Sequence, residues 1–322
     1  MAAALADTPV SYEDLADIER DFDDAETEII RQQVSLTQPL YDRRDKTTSQ
    51  IPNFWPLVLE QAPPDIDQYI QPSDSALLLS SLVNLSVSHF EISTPGGDPR
   101  SVAIRFTFSA NEYFEDTVLE KRFWYRRARD GWSGLVSEPV PIRWKKDRDL
   151  TGGLLDLVCR AWEAGPVAGG LSPEQRALKK KIENTGMGGL SFFAWFGFIG
   201  RRVSAEESAE ATRLEREARG ERKADKALES TGEQEQAQDQ EEEEEAEDDP
   251  GMSLEIFPDG DDLAIAITED LWPGAIKYFT QAQEQDVLSD ADFESSEEDE
   301  PLEDARSSVE SDGRPSKKQR SS

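Results

Sequence analysis

Apolar residues recur at alternating three- and four-residue spacings from about residue 11 to residue 50, which predicts one long helix. Leu15, Ile18, Phe22, Ala25 and Ile29 form the stripe, and Leu36 extends its register. Ser11 followed by Asp14 offers a capping pair for the first turn. Asp21, Asp23, Asp24, Glu26 and Glu28 fall between the apolar positions and are expected to face water. A stripe this narrow suits packing along a second helix better than immersion in a globular core. Gln32 and Gln33 interrupt it, and Pro39 should bend the helix. Forty helical residues span roughly 60 Å, so a lone helix would leave its apolar seam exposed. Pairing of two chains along the seam is the simplest remedy. The alternative is a helix laid back over its own domain.

The helical period breaks at Ile51-Pro52-Asn53-Phe54-Trp55-Pro56, a turn whose aromatic pair should plug into the core ahead of a helix in PLVLEQAP. Residues 74 to 83 look helical, capped by Ser73 or Asp74, and run into the strand NLSVSHFEI. The period then becomes two. Val102, Ile104, Phe106 and Phe108 share one face while Arg105 and Thr107 take the other, the pattern of a half-buried antiparallel strand. TPGGDPR at 94 to 100 supplies the preceding turn, where Gly96 and Gly97 tolerate positive φ. VLEKRFWYRR predicts a third strand and PVPIRWKK a fourth. Such a meander needs one face covered, and the flanking helices can do this.

Ser172, Pro173 and Gln175 signal the start of a short helix through ALKKKIE. SFFAWFGF at 191 to 198 is the densest aromatic run and reads as core, because an exposed cluster of this kind invites aggregation. Residues 201 to 250 are charged, almost free of large apolar side chains, and end in EEEEEAEDDP. They read as an insertion, partly helical at best and otherwise disordered. Structured signals resume with SLEIF and LAIAI, two predicted strands about a PDGDD turn. Thr268 is a predicted helix cap with Glu269 and Asp270 in the first turn, Pro273 an interruption, and Ile276, Tyr278 and Phe279 inward-facing. From Glu284 onward acid and serine dominate, which predicts a disordered tail. It closes on the basic KKQR at 317 to 320, compatible with nuclear import.

Charge narrows the choice of partners. The 322 residues include 68 acidic and 35 basic side chains, a formal net charge of -33. DNA, RNA and anionic lipid are repelled by such a field, and a cationic protein is drawn in. Salt weakens that attraction, the Debye length being about 8 Å at physiological ionic strength. Acidity that merely keeps the chain soluble is the plainer reading. The apolar share of 36% favours one core with charged extensions over two full domains.

Chemistry of the catalytic kind has little support. Cys159 and His89 are the sole cysteine and histidine, too few for an intrachain disulfide or a Cys/His zinc site. Cys159 lies in the apolar run LLDLVCRAW as a structural thiol, and His89 in a strand, with no G-x-S-x-G elbow to make it a base. Carboxylate pairs are too numerous for any one to stand out as an acid–base couple. PDGDD lacks the length and terminal Glu of an EF-hand, and Gly186, Gly188 and Gly189 lack the Lys-Ser/Thr of a phosphate loop. The N-terminus has no signal-peptide pattern and no apolar run nears 18 residues, so secretion and membrane spanning are not expected. The expectation is therefore no enzyme, no cofactor, no metal and no membrane.

Five segments in order, QPLYDRRDKTTSQIPNFWPLVL (38–59), FSANEYFEDTVLEKRFWY (108–125), PIRWKKDRDLT (141–151), SFFAWF (191–196) and EDLWPGAIKYFT (269–280), resemble the nucleosome assembly protein superfamily. Within it the chain is most similar to the SET/Vps75-type histone chaperones. The resemblance implies an α+β fold: a long N-terminal dimerisation helix, then an earmuff domain whose antiparallel sheet is covered by helices. The implied layout is a flexible 1–10, a helix at 11–50, an earmuff at 51–283 with the 201–250 insertion, and an acidic tail at 284–322. Leu15, Ile18, Phe22, Ala25, Ile29 and Leu36 would then form an antiparallel homodimer seam. Ile51, Pro52, Asn53, Phe54 and Trp55 would join helix to earmuff, Asn111, Tyr113, Phe114, Glu115 and Asp116 would follow a sheet strand, and Trp272 and Pro273 would sit in the last helical region before the tail. The stretch GPVAGGLSPEQRALKKKIEN and residues 201–250 exceed the compact family pattern, and the insertion either covers or enlarges the histone surface.

The implied function is a nuclear histone chaperone, with shuttling to the cytoplasm as an option. Its acidic concave face and tail would bind core histones, H3–H4 and/or H2A–H2B, and keep them from non-specific DNA contact. The candidate histone contacts are Glu112, Glu115, Asp116, Asp261, Asp262, Glu269 and Asp270. Sequence-specific nucleic-acid binding is not expected. The alternative is an acidic dimeric module that recruits or inhibits an enzyme such as a histone acetyltransferase or a phosphatase.

Overall fold

A computed structural model describes residues 10–165, 170–185, 189–229 and 254–296. The chain divides into two units, Met1–Ala282 and Gln283–Ser322. Helix α1 runs Tyr12–Thr48, opened by the capping pair read from sequence: the Ser11 and Asp14 side chains and backbones satisfy one another. Short helices α2 (Phe54–Glu60), α3 (Pro64–Asp67) and α4 (Pro72–Ser81) follow. Asn53, at φ 56°, makes the left-handed turn between α1 and α2, and Phe54 and Trp55 enter the core as expected. The cap of α4 is displaced from the expected Ser73 or Asp74 to Gln71. Pro72 takes the first helical position, and Asp74 becomes the box partner accepting from the Gln71 N–H at 3.0 Å.

Strands β1 (Leu82–Ser88), β2 (Val102–Phe108), β3 (Val118–Arg127) and β4 (Ser133–Ser137) form one antiparallel sheet in sequential order. Val102, Ile104, Phe106 and Phe108 are all buried, as their period-two spacing requires. The fourth strand is not PVPIRWKK. Pro139 and Pro141 have no N–H to give a ladder, so GLVS supplies the edge and Trp144 makes only an isolated bridge to Phe114. Helices α5 (Leu154–Glu163) and α6 (Pro173–Thr185) follow, the latter with the expected Ser172–Gln175 box at 2.8 and 3.1 Å. Cys159 is buried on α5, and burial pushes its thiol up to about 11.

The aromatic run forms a 3-10 turn at Phe192–Gly197 that packs against the sheet through Phe106 and Phe123. Trp195 lies 5.3 Å from the Phe123 ring and donates its Nε1–H to the Gly260 carbonyl at 2.7 Å. The fully buried Asp74 fastens this turn, accepting from the Ser191 hydroxyl at 2.6 Å and the Phe192 N–H at 2.7 Å. Later expectations also need correcting. Residues 205–229 are one continuous helix, α7 (Ala205–Glu229), in the segment read as partly helical at best and otherwise disordered; residues 230–250 lie outside the described chain. LAIAI is helical, within α8 (Gly260–Ala266) and a π turn (Ile267–Leu271), and SLEIF forms no strand among its described residues. Leu263, Ala264, Ile267 and Leu271 share the buried face at helical spacing, and alternating Ala is a helix former that mimics a two-residue period. Thr268 therefore caps nothing; it sits inside the π turn. Helix α9 (Ala275–Ser296) extends past Glu284 into the expected disordered tail, whose residues 297–322 lie outside the described chain.

Lys121 on β3 is fully buried and donates from Nζ to the carbonyls of Glu138, Phe196 and Phe198 at 2.9, 3.1 and 2.8 Å. Burial drives its pKa down to about 7, against the opposing pull of Glu255. The unfolded lysine titrates near 10.4, so the native state binds fewer protons between about pH 7 and about pH 10. The stability linked to this group is present above that window and lost as pH falls through about 7. Urea unfolding at about pH 7 and about pH 9 is expected to show a gain in the wild-type chain that Lys121→Met lacks. Parallel profiles would remove Lys121 as its source.

Candidate functional site

The seven candidate histone contacts fall into two groups, one on the β2–β3 loop and one on α8 and the π turn. Glu112, Glu115 and Asp116 occupy the loop between β2 and β3, where Asn111 Oδ1 accepts the Tyr113 and Phe114 N–H groups at 2.9 and 3.0 Å. Asp116 is consumed locally: it accepts from the Arg143 backbone and Nε, both at 2.7 Å. Glu112 pairs with Arg148 at 3.6 Å. Lys145 Nζ also donates to the Asn111 carbonyl at 2.5 Å, so cations from residues 143–148 offset the acid of this loop.

The other four carboxylates present a different field. Asp261 and Asp262 open α8, where the helix N-terminus favours negative charge. Burial raises the Asp261 pKa, and repulsion from Asp262 and Asp259 adds to it. Asp270 accepts the Tyr278 hydroxyl at 2.9 Å; burial first and this carboxylate second push that phenol up to about 12. Asp262 and Glu269 are exposed, and no arginine or lysine pairs with either among the described residues. No hydrogen bond or ion pair among the described residues joins this group to the β2–β3 loop.

Glu269 also lines a cavity of about 480 Å³ between α1, the sheet and the π turn. Its walls include Val34, Val87 and Ile265, and Thr268 Oγ1 and Trp272 Nε1 are buried without a hydrogen-bond partner among the described residues. His89 lies on the same wall, its Nδ1 against the Pro99 carbonyl at 2.6 Å, and burial lowers its pKa. No group of three or more His, Cys, Asp or Glu among the described residues is placed to hold a metal ion. No helix among them is long and apolar enough to cross a membrane.

Helix α1 has two working faces. Tyr41, Arg44 and Thr48 turn toward the chain's own domain: the Arg44 guanidinium lies 4.6 Å from the Trp272 ring and donates to the Trp272 carbonyl. Arg31 donates to the Ile92 and Gly97 carbonyls at 2.9 and 2.8 Å. The opposite face carries Leu15, Ile18, Phe22, Ala25, Ile29 and Leu36, all exposed, Phe22 at 67% and Leu36 at 75%. Three acids expected to face water do not do so freely. Asp23 pairs with Arg100, and Asp21 and Asp24 with Arg219 of α7. Sequence reading did not single out those cations, although Arg213, Arg216, Arg219 and Arg222 recur at three-residue intervals inside the segment read as a charged insertion.

A four-stranded antiparallel meander packed with helices and flanked by a long two-faced helix, with acid gathered on a folded element, defines an acidic α+β binding domain. The family model described as nucleosome assembly protein (NAP) matches residues 19–282, and the chain belongs to that family. A Schizosaccharomyces pombe protein described as a nucleosome assembly protein is 40% identical over 151 residues, 44% of this chain and 59% of that relative's length. Vacuolar protein sorting-associated protein 75 of Saccharomyces cerevisiae is 25% identical over 284 residues, covering 87% of this chain and 81% of that one. The crystal structure of Vps75 shares the fold with a TM-score of 0.52 at 23% identity, over 84% of this chain and 98% of the other. The fold is thus the long helix and earmuff that the sequence resemblance implied.

Proposed function

We propose that the protein is a histone chaperone that binds core histones reversibly through folded acid and screens them from non-specific DNA contact. The observation that supports this most is the run Asp261–Asp270: carboxylates held on α8 and the π turn, with Asp262 and Glu269 exposed and free of ion pairs among the described residues. Histone lysines and arginines are attracted to such a surface over a Debye length. DNA displaces it by offering a denser line of charge, which is how release follows from binding. Two chains joined along the exposed α1 seam would present the acid twice and gain avidity from one histone complex. A nuclear protein, able to shuttle, is the corresponding location.

The test is a titration of the full chain with H3–H4 and with H2A–H2B at one physiological salt concentration, scored also for suppression of histone precipitation onto DNA. Binding of at least one pair is expected, weakening as salt rises. A chain that ignores both pairs yet retains an acetyltransferase or phosphatase from extract would replace the chaperone with the recruiting module.

A further inference from the structure

Helix α7 is joined to the first half of α1 by a set of ion pairs. Arg222 Nη2 meets Asp17 Oδ1 at 2.9 Å, Arg219 Nη1 meets Asp24 Oδ2 at 2.9 Å, and Arg219 also pairs with Asp21. In the reverse sense, Glu215 of α7 receives Arg20 of α1 and, at 3.0 Å, Arg127 of β3. Asp17, Asp21 and Asp24 stand at spacings of four and three, so they line one flank of α1, away from the apolar seam.

What holds α7 changes along its length. Its beginning is anchored: Val203 just before it and Ala211 within it are buried, and the Ser208 hydroxyl accepts the Arg127 N–H at 3.0 Å. Beyond Thr212 no described apolar side chain of α7 is buried, and Leu214 is 47% exposed. That part is held to α1 by ion pairs. A cavity of about 780 Å³ bordered by Arg20, Asp23, Arg127 and Arg219 lies between the elements. Partly exposed ion pairs hold weakly, exchange with other ions and loosen with salt.

We infer that the arginine-bearing part of α7, residues 212–222, is an internal competitor: it occupies the Asp17–Asp24 flank of α1 that a cationic partner would otherwise engage. In the free chain the strap neutralises this acid, and a partner rich in arginine and lysine displaces it. The insertion therefore covers a binding surface in the free state. This inference rests on the proposed function for the identity of the partner, but the strap itself does not.

The experiment compares two full-length variants with the same change in net charge. Arg219→Glu/Arg222→Glu breaks the clamp; Arg213→Glu/Arg216→Glu leaves it, since Arg213 pairs with Glu217 of its own helix. The first is expected to bind H3–H4 about fivefold more tightly than the second at physiological salt, as follows from freeing a flank held by weak pairs. Hydrogen exchange on the wild-type chain gives a readout that needs no substitution. Adding histone, or polylysine as a generic cation, should speed exchange across 212–222 and leave 205–211 protected. Equal affinities of the two variants, or exchange across 212–222 unmoved by polylysine, would overturn the strap. Failure of wild type and both variants to bind either histone pair, with polylysine still releasing 212–222, would sink the chaperone and leave the strap standing.

Discussion

Glutamate at Ile18, Phe22 and Ile29 is expected to turn a particle of twice the 36.1 kDa chain mass into one of a single chain in solution. The three side chains are 52%, 67% and 60% exposed, so the substitutions remove nothing from the chain's own core. The opposite face of α1 remains tied down through Arg31, Tyr41 and Arg44, with the Tyr41 and Trp272 rings 4.0 Å apart. Fully burying one such apolar side chain is worth about 1.5–3 kcal/mol, and a two-fold seam counts each contact twice. Desolvating six carboxylates across the same seam forfeits that gain and adds a large penalty. Light scattering reads the mass, and circular dichroism checks that helix content survives. A mass unchanged from that of the parent dimer would rule out this seam.

The second large effect is expected on histone affinity. Asp261→Asn/Asp262→Asn/Glu269→Gln should weaken histone binding about tenfold at physiological salt and flatten its salt dependence, as loss of long-range attraction requires. Asp270 is left in place because Tyr278 uses its carboxylate. The control is Glu112→Gln/Glu115→Gln on the β2–β3 loop, expected to change affinity less than about twofold because Arg143 and Arg148 already offset that acid. The first set removes three negative charges and the control two, so a loss set by net charge alone would scale only in that proportion. Equal losses would show that total acidity, not the α8 surface, sets the binding.

Local period carried much of the architecture. The Ser11–Asp14 and Ser172–Gln175 boxes, the α1 stripe, and strands β2 and β3 each depend on residues a few positions apart, and all appear where their spacing placed them. Misreadings arose where local signals were degenerate. Leu263 to Ile267 alternates like a strand, yet the buried set Leu263, Ala264, Ile267 and Leu271 has helical spacing; at the start of that helix a Cβ on Gly260 would meet the Phe198 ring at 2.3 Å, so only glycine admits that approach. PVPIRWKK has strand-like side chains and a backbone short of donors.

Composition and periodicity by themselves determined an acidic chain, a long helix with one free apolar seam, and a half-buried meander with an aromatic filling. Each follows from intrinsic charge or from neighbours within one or two turns. Only the tertiary structure decided which charges remain available. Arg219 reaches Asp24 across 195 positions, Asp116 is taken by Arg143, and Lys121 is sealed among three carbonyls. Pairing and desolvation depend on what the fold brings within a few ångströms, and no local pattern encodes that distance.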